Sequence, residues 1–170
     1  MTARQAIIPQ TLMLAAHDWV PNHPSLPVLI YKNVITDGDI ASHFEQRFND
    51  NGWPPQWRDG IFDYHHYHSN AHEALGIARG AARLMIGGPG GAQLDVETGD
   101  VIVLPAGTGH RRLSATDDFL VVGAYPPGTE ADLCKQAATT GMRARIAALP
   151  FPEQDPVNGL KPALTEFWQR

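Results

Sequence analysis

The sequence predicts an all-β fold, an antiparallel sandwich or barrel, with helical segments before and after it. Residues 60–125 contain short apolar runs at nearly even spacing, separated by glycine and proline, which is typical of such folds. Helical spacing of apolar residues occurs only outside this region. At 170 residues, 43% hydrophobic and 18% charged, the chain has the size and composition of one ordinary globular domain.

The N-terminal part is expected to form an extended arm, an edge strand and a helix. Prolines at positions 9, 21, 24 and 27 precede the apolar run PVLIYKNVI, and proline is tolerated at sheet edges but not in central strands. The stretch TDGDIASHFEQRFNDNG has helical spacing, with Thr36 or Asp37 as the expected N-cap and Gly52 just past the end. The following WPPQW is interpreted as a stiff aromatic connector.

The central part is expected to supply the strands of the barrel. The successive apolar runs are FDYHHYH, EALGIA, ARLMI, AQLDV, DVIVLP, HRRLS and FLVVGAY. After them, LCKQAATTGMRARIAAL predicts a helix, and a proline-containing tail follows. We therefore expect a single structural domain with three parts: an arm and helix (1–56), a barrel core (57–126), and a C-terminal helix and tail (127–170).

Charge and composition argue against several classes of partner. The chain has 13 Lys plus Arg against 18 Asp plus Glu, and no basic run is longer than Arg111–Arg112, so nucleic-acid binding is not expected. No apolar stretch approaches the length of a membrane span. The single cysteine, Cys134, cannot form an intrachain disulfide, which fits a cytoplasmic location, and it excludes a multi-thiolate zinc site.

A cluster of histidines, YHHYHSNAHE, predicts a metal site. On a strand, alternate side chains share a face, so His66 and His68 point the same way. After a short turn, Glu73 begins the next strand. A second turn, after DVIVLP, places His110 at the start of the strand that follows it. Only one of two adjacent strand residues can face inward, so His72 is the exclusive alternative to Glu73.

The same residues fit a known motif: glycine, five residues, His-x-His, three or four residues, Glu, six residues, glycine. In this chain it reads Gly60, IFDYH, His66-Tyr67-His68, SNAH, Glu73, ALGIAR, Gly80. A second motif reads Gly99, DVIVL, Pro105-Ala106-Gly107, TG, His110, RRL, and then Ser114 where asparagine is usual. With these two motifs the sequence resembles the cupin superfamily, and the departure at Ser114 lies outside the metal ligands.

The resemblance implies a fold, a metal and a partner. It implies a double-stranded β-helix, the RmlC-like jelly-roll barrel, with an N-terminal arm and helix and a C-terminal helix. One divalent ion, Fe, Mn, Ni or Zn, is expected in its mouth, with His66, His68, Glu73 and His110 as ligands. The segments HYHSNAHEALGIARG and LPAGTGHRRLSATDDFLVVGAYPPG are similar in sequence to the YjlB-like branch of bacterial cupins, whose reaction is not established. Cupins often pair barrels and exchange N-terminal arms, which implies a homodimer.

Two further residues are candidates for catalysis or binding. Arg112 lies two residues beyond His110 and should share its face. Its guanidinium could bind a carboxylate or phosphate in the cavity, or pair at the rim with Asp117 or Asp118. Tyr64 shares parity with His66 and could donate a hydrogen bond into the cavity or simply fill the barrel.

The remaining histidines are expected to lie away from the metal. His65 and His72 are interpreted as polar residues on the outer face, or as residues that orient a ligand. No partner is apparent in the sequence for His17, His23 and His43, which are expected at the surface.

The predicted function is that of a metal-binding cupin. We expect a small metalloenzyme of the isomerase, decarboxylase or dioxygenase type, acting on a small polar or anionic metabolite. The alternative is a non-catalytic cupin that binds or senses a ligand or metal. No organic cofactor is expected, and the sequence does not reveal a general base.

Overall fold

The structure, a computed structural model, describes residues 4–169. Two antiparallel sheets and two α-helices make up its regular elements. In chain order these are β1 (Gln10–Leu12), β2 (Val28–Tyr31), α1 (Ile40–Asp50), β3 (Pro55–Asp59), β4 (Glu73–Arg79), β5 (Ala81–Ile86), β6 (Ala92–Glu97), β7 (Val101–Leu104), β8 (His110–Ala115), β9 (Leu120–Ala124) and α2 (Thr140–Ala148). A 3₁₀ turn, Leu164–Glu166, follows near the end.

The two sheets form the predicted jelly-roll barrel. The larger has the strand order β1-β2-β7-β4-β9-β3 and the smaller β6-β5-β8. The alternation of side chains in β7 places Ile102 and Leu104 in the core between the sheets. Val101 and Val103 point to the opposite face, where α1 and the C-terminal tail cover them. The all-β prediction is therefore confirmed, and the inner strands β2, β7 and β4 of the larger sheet are buried on both faces.

Helix α1 forms where the spacing of apolar residues predicts it, but it begins later than expected. Asp39, not Thr36 or Asp37, is the N-cap, and its carboxylate accepts a hydrogen bond from the Ser42 amide at 3.3 Å. Gly38 has a φ of +78°, a left-handed conformation that cannot be part of the helix and so delays its start.

Two segments differ from the predicted pattern around the barrel. The WPPQW connector is partly a strand, because Pro55 begins β3, which pairs with β9 at the edge of the larger sheet. An edge strand uses only one row of hydrogen bonds, so it tolerates proline. The FDYHHYH run is not a regular strand: it makes isolated bridges from His66 to His110 and from Tyr67 to Cys134.

The C-terminal segment returns to the larger sheet. Helix α2 is shorter than predicted because Cys134 pairs with Tyr67, and the helix begins only after the Thr139 cap. Further on, Trp168 is buried and donates a hydrogen bond to the Pro27 carbonyl at 2.8 Å. None of the helices within residues 4–169 is long and hydrophobic enough to cross a membrane.

Candidate metal centre

Three histidines from two parts of the chain converge at one end of the barrel. His66 and His68 lie on the irregular segment before β4, and His110 begins β8. The backbones of His66 and His110 are paired by hydrogen bonds of 3.2 and 2.9 Å, which fixes the two segments side by side. One ring nitrogen from each of the three residues lies within 4.8 Å of the others. The structure thus brings together all three predicted imidazoles.

Hydrogen bonds to the backbone orient each of these imidazoles. Nδ1 of His66 faces the Tyr64 carbonyl at 3.0 Å, Nδ1 of His110 faces the Thr108 carbonyl at 3.0 Å, and Nδ1 of His68 faces the Asp132 carbonyl. A carbonyl oxygen only accepts, so Nδ1 must carry the proton in all three rings. Nε2 is therefore the ring nitrogen that each histidine turns toward the others and could offer to a metal, once it carries no proton.

Glu73 completes the polar cluster from the first position of β4. Its side chain is buried, with Oε1 3.3 Å from His110 Nε2 and Oε2 3.4 Å from His68 Nε2. The Tyr125 hydroxyl donates to Oε2 at 2.8 Å, whereas Oε1 accepts no hydrogen bond within the described part of the chain. A buried carboxylate oxygen without a donor is costly unless a cation neutralises it.

The donor set therefore fits a metal ion. Three imidazole nitrogens and one carboxylate oxygen are ligands that Fe, Mn, Ni and Zn all accept. His66, His68, His110 and Glu73 would be the residues that hold such an ion.

Burial and mutual charge shift the pKa values within this cluster. Burial, together with the neighbouring His110, lowers the pKa of His66 to about 3, so this ring is neutral near pH 7. Burial opposes the charge of His68, but the Glu73 carboxylate outweighs it and raises the pKa of His68 to about 9. Burial also opposes the charge of Glu73, yet His68 and His110 hold the pKa of that carboxyl well below its usual range. Without a metal, His68 and Glu73 thus form a buried ion pair.

The cluster lines a cavity of about 450 Å³ that opens to solvent. Its lining includes Tyr125 and the whole cluster, and much of the remaining wall is apolar. The apolar residues are Trp57, Ile61, Phe62 and Leu75. Exposed side chains, Asp59, Phe62 and Asp63, mark its mouth. The cavity can therefore hold a small molecule with one polar end at the cluster and an apolar body against the wall.

The two candidate catalytic residues differ in position. Arg112 lines the cavity, where its side chain is 38% exposed and lies 4.0 Å from the Asp63 carboxylate. The carboxylate at the rim beside it is thus that of Asp63, and not that of Asp117 or Asp118, the alternative that the sequence left open. Tyr64 is not among the lining residues: its ring stacks on Phe62 at 4.8 Å between centroids.

His23 is buried, contrary to the expectation that it lies at the surface, and His72, expected on the outer face or behind a ligand, is buried as well. The His72 ring points away from the cluster, into the interface between the barrel and the C-terminal tail, where it contacts Trp168 at 5.0 Å between centroids. Its Nδ1 accepts a hydrogen bond from the Ala106 amide at 2.9 Å. The adjacent Glu73 faces inward, so His72 does not take its place. His65 is half-buried on the side away from the cavity, while His17 and His43 are exposed as expected.

Sequence reasoning missed Tyr125 and Asp132, whose side chain or backbone contacts the cluster. Tyr125 donates to Glu73 across 52 residues of sequence. The backbone carbonyl of Asp132 accepts a hydrogen bond from His68 Nδ1. The carboxylate of Asp132 accepts a hydrogen bond from the Ser69 amide at 2.7 Å. Burial, followed by the Glu73 charge, raises the pKa of Tyr125, so its hydroxyl is a neutral donor. Tyr125 directly follows β9, at a parity that faces inward, and this signal could have identified it.

The sequence matches a known family and a curated relative. The sequence profile of the Cupin family matches residues 62–132. The protein named Uncharacterized protein YjlB from Bacillus subtilis (strain 168) is 37% identical over 161 residues, which cover 94% of this chain and 96% of that protein. All four candidate ligands lie inside the matched region.

Solved structures show weaker likeness. Acireductone dioxygenase from Bacillus anthracis, with a cadmium ion in its active centre, is 23% identical over 59% of this chain and 70% of its own, with a TM-score of 0.38. A DUF861 family protein from Thermotoga maritima is 18% identical over 46% of this chain and 83% of its own, with a TM-score of 0.32. Both TM-scores are low, so neither structure contributes to the functional argument.

Proposed function

Because the chain belongs to the cupin superfamily, in the branch of the Bacillus subtilis YjlB protein, we propose that it is a metal-dependent enzyme acting on a small organic anion. One divalent ion per chain, Fe, Mn, Ni or Zn, is held by His66, His68, Glu73 and His110. The observation that carries this proposal is the common orientation of the three histidines, whose Nδ1 atoms all face backbone carbonyls. Such an arrangement leaves the Nε2 atoms available near the Glu73 oxygen Oε1, which accepts no hydrogen bond within residues 4–169.

The ion would supply Lewis-acid chemistry to an oxygen of the substrate. The residues of the chain would bind the substrate. Arg112 binds a carboxylate or phosphate group of the substrate, because its guanidinium lines the cavity. The carboxylate of Asp63, 4.0 Å away, is too distant to form a hydrogen bond with it. Trp57, Ile61 and Leu75 contact the apolar part of the substrate and exclude water.

Reactions of the isomerase, decarboxylase and dioxygenase types are all compatible with such a site, and the identity of the metal would determine which of them occurs. The rival function, a cupin that binds or senses a ligand without turnover, uses the same ligands. An enzyme must keep exchangeable positions on its metal, whereas a sensor can function with a closed site. We also expect the protein to act in the cytoplasm as a homodimer.

Elemental analysis of protein purified anaerobically, without added metal or chelating resin, tests the proposal. We expect close to one Fe, Mn, Ni or Zn per chain, lost in a His66→Ala/His110→Ala double variant whose fold is checked by circular dichroism. His17→Ala is the matched control, because His17 is an exposed histidine that does not line the cavity. A folded parent that stays empty in metal-supplemented buffer would refute the metalloenzyme.

The identity of the metal then selects the activity assays. If the metal is iron, oxygen uptake is measured. If it is manganese or nickel, the protein is screened for isomerase and decarboxylase activity, and if it is zinc, for hydrolase or isomerase activity. Water-proton relaxation of the Mn²⁺-loaded protein separates the two functions, because it reports exchangeable water on the ion. A loaded protein without exchangeable water would favour the sensor.

A further inference from the structure

We propose that Tyr125 is a positioning residue that restricts Glu73 to binding the metal through one oxygen, Oε1. This inference rests on the proposed function, since it requires Glu73 to be a ligand. Its consequence is an additional open position on the ion, which a substrate with two neighbouring oxygens can use.

A directed chain of hydrogen bonds runs from Trp57 to Glu73. Trp57 Nε1 donates to the Tyr125 hydroxyl oxygen at 3.0 Å. Because an indole nitrogen can only donate, the tyrosine oxygen must accept here. Its single proton is then free to go to Glu73 Oε2, which lies 2.8 Å away. Trp57 thereby fixes the direction in which Tyr125 donates.

The two carboxylate oxygens of Glu73 are consequently unequal. Oε2 is engaged by a neutral hydroxyl, and Oε1 accepts no hydrogen bond from the described residues although it is buried. Tyr125 is 6% exposed and Glu73 2%, so this hydrogen bond is largely shielded by the surrounding residues. A charge-assisted hydrogen bond of this length to Oε2 competes with a metal for that oxygen and leaves Oε1 as the ligand atom.

The number of protein ligands determines what else the metal can bind. With three imidazoles and one carboxylate oxygen, a six-coordinate ion keeps about two positions for other ligands. If Glu73 bound through both oxygens, about one position would remain. Two open positions allow a substrate to chelate the ion through two oxygens, as a 2-hydroxy or 2-oxo acid does. We therefore assign the substrate to the class of small molecules that chelate a metal through two neighbouring oxygens.

The test compares Tyr125→Phe with a chemically identical change elsewhere. Tyr31→Phe is the matched control, because Tyr31 is also buried and its hydroxyl also donates to a buried carboxylate, that of Asp155. Both variants and the parent are loaded with Mn²⁺, and the relaxation of water protons by the bound ion is measured. We expect the relaxation per bound ion in Tyr125→Phe to fall to about half, as one of two waters is displaced by Oε2. Tyr31→Phe should match the parent.

A Trp57→Phe variant tests the direction of the chain. It leaves the tyrosine hydroxyl in place but removes the donor that orients it, so we expect a decrease of the same sign and smaller size.

The outcomes separate this inference from the proposed function. A parent that binds no Mn²⁺ would overturn both. A parent that binds Mn²⁺ at the histidines, with the same water relaxation in Tyr125→Phe as in the parent, would overturn only the role of Tyr125. Loss of Mn²⁺ from Tyr125→Phe but not from Tyr31→Phe would also overturn it, because the hydroxyl would then be needed for binding itself.

Discussion

Metal binding by this protein is expected to depend strongly on pH, because His68 carries a proton in the metal-free site. Burial disfavours the charged ring, but Glu73 at 3.4 Å raises its pKa to about 9. A metal that binds His68 Nε2 must displace this proton. His66, with a pKa of about 3, is already neutral and contributes none.

The size of the effect follows from the pKa of His68. At pH 7.5, which is about 1.5 units below that pKa, displacing the proton costs about 2 kcal/mol. The apparent affinity should therefore be about 30-fold weaker at pH 7.5 than above pH 9. Protons compete with the metal for His68, so the affinity for the metal rises about tenfold per pH unit towards pH 9 and then becomes constant.

Calorimetric titration with Mn²⁺ at pH 7.5, in buffers that differ in ionisation enthalpy, measures the protons released. We expect about one proton per ion in the parent. Glu73→Gln removes the charge that holds the proton on His68, so its release should fall to nearly zero. If the parent released no proton and bound with the same affinity from pH 7 to 9, the buried ion pair would not exist.

Three further changes test packing and substrate binding. A methyl group on Gly76 would lie 2.8 Å from the Phe44 ring, so Gly76→Ala should cost about 1–3 kcal/mol in urea unfolding. Gly60→Ala, which meets nothing within 4 Å, is its control and should change stability by less than about 0.5 kcal/mol; equal effects would contradict the argument. Trp168→Ala removes a fully buried ring and should cost about 3–5 kcal/mol in the same assay, whereas a loss near zero would show that the tail is dispensable. Arg112→Gln should weaken malonate binding to the Mn²⁺-loaded protein about 10- to 100-fold, with unchanged metal content; an unchanged Kd would exclude Arg112 from anion binding.

Much of the fold could be predicted because it depends on patterns a few residues long. The alternation in DVIVLP and the turn residues on both sides of it are local properties, and β7 forms where they indicate. Helix α1 likewise follows from its apolar spacing and from Gly52. The β3 strand escaped prediction because Pro54 and Pro55 suit an edge strand and a connector equally well, and only the pairing of β3 with β9 decides between them.

The fold class and the candidate ligands could be named from the sequence, because the fold class depends on local patterns and each ligand lies at a motif position or a strand parity of its own segment. His66 and His68 are two residues apart, and Glu73 follows after one turn. Only the tertiary structure decided that His72 faces the tail, that Tyr125 contacts Glu73, and that Asp132 orients His68. The physical reason is distance along the chain: these contacts join residues 52 to 96 positions apart, and such pairs meet only when the barrel closes and the C-terminal segment packs back on it.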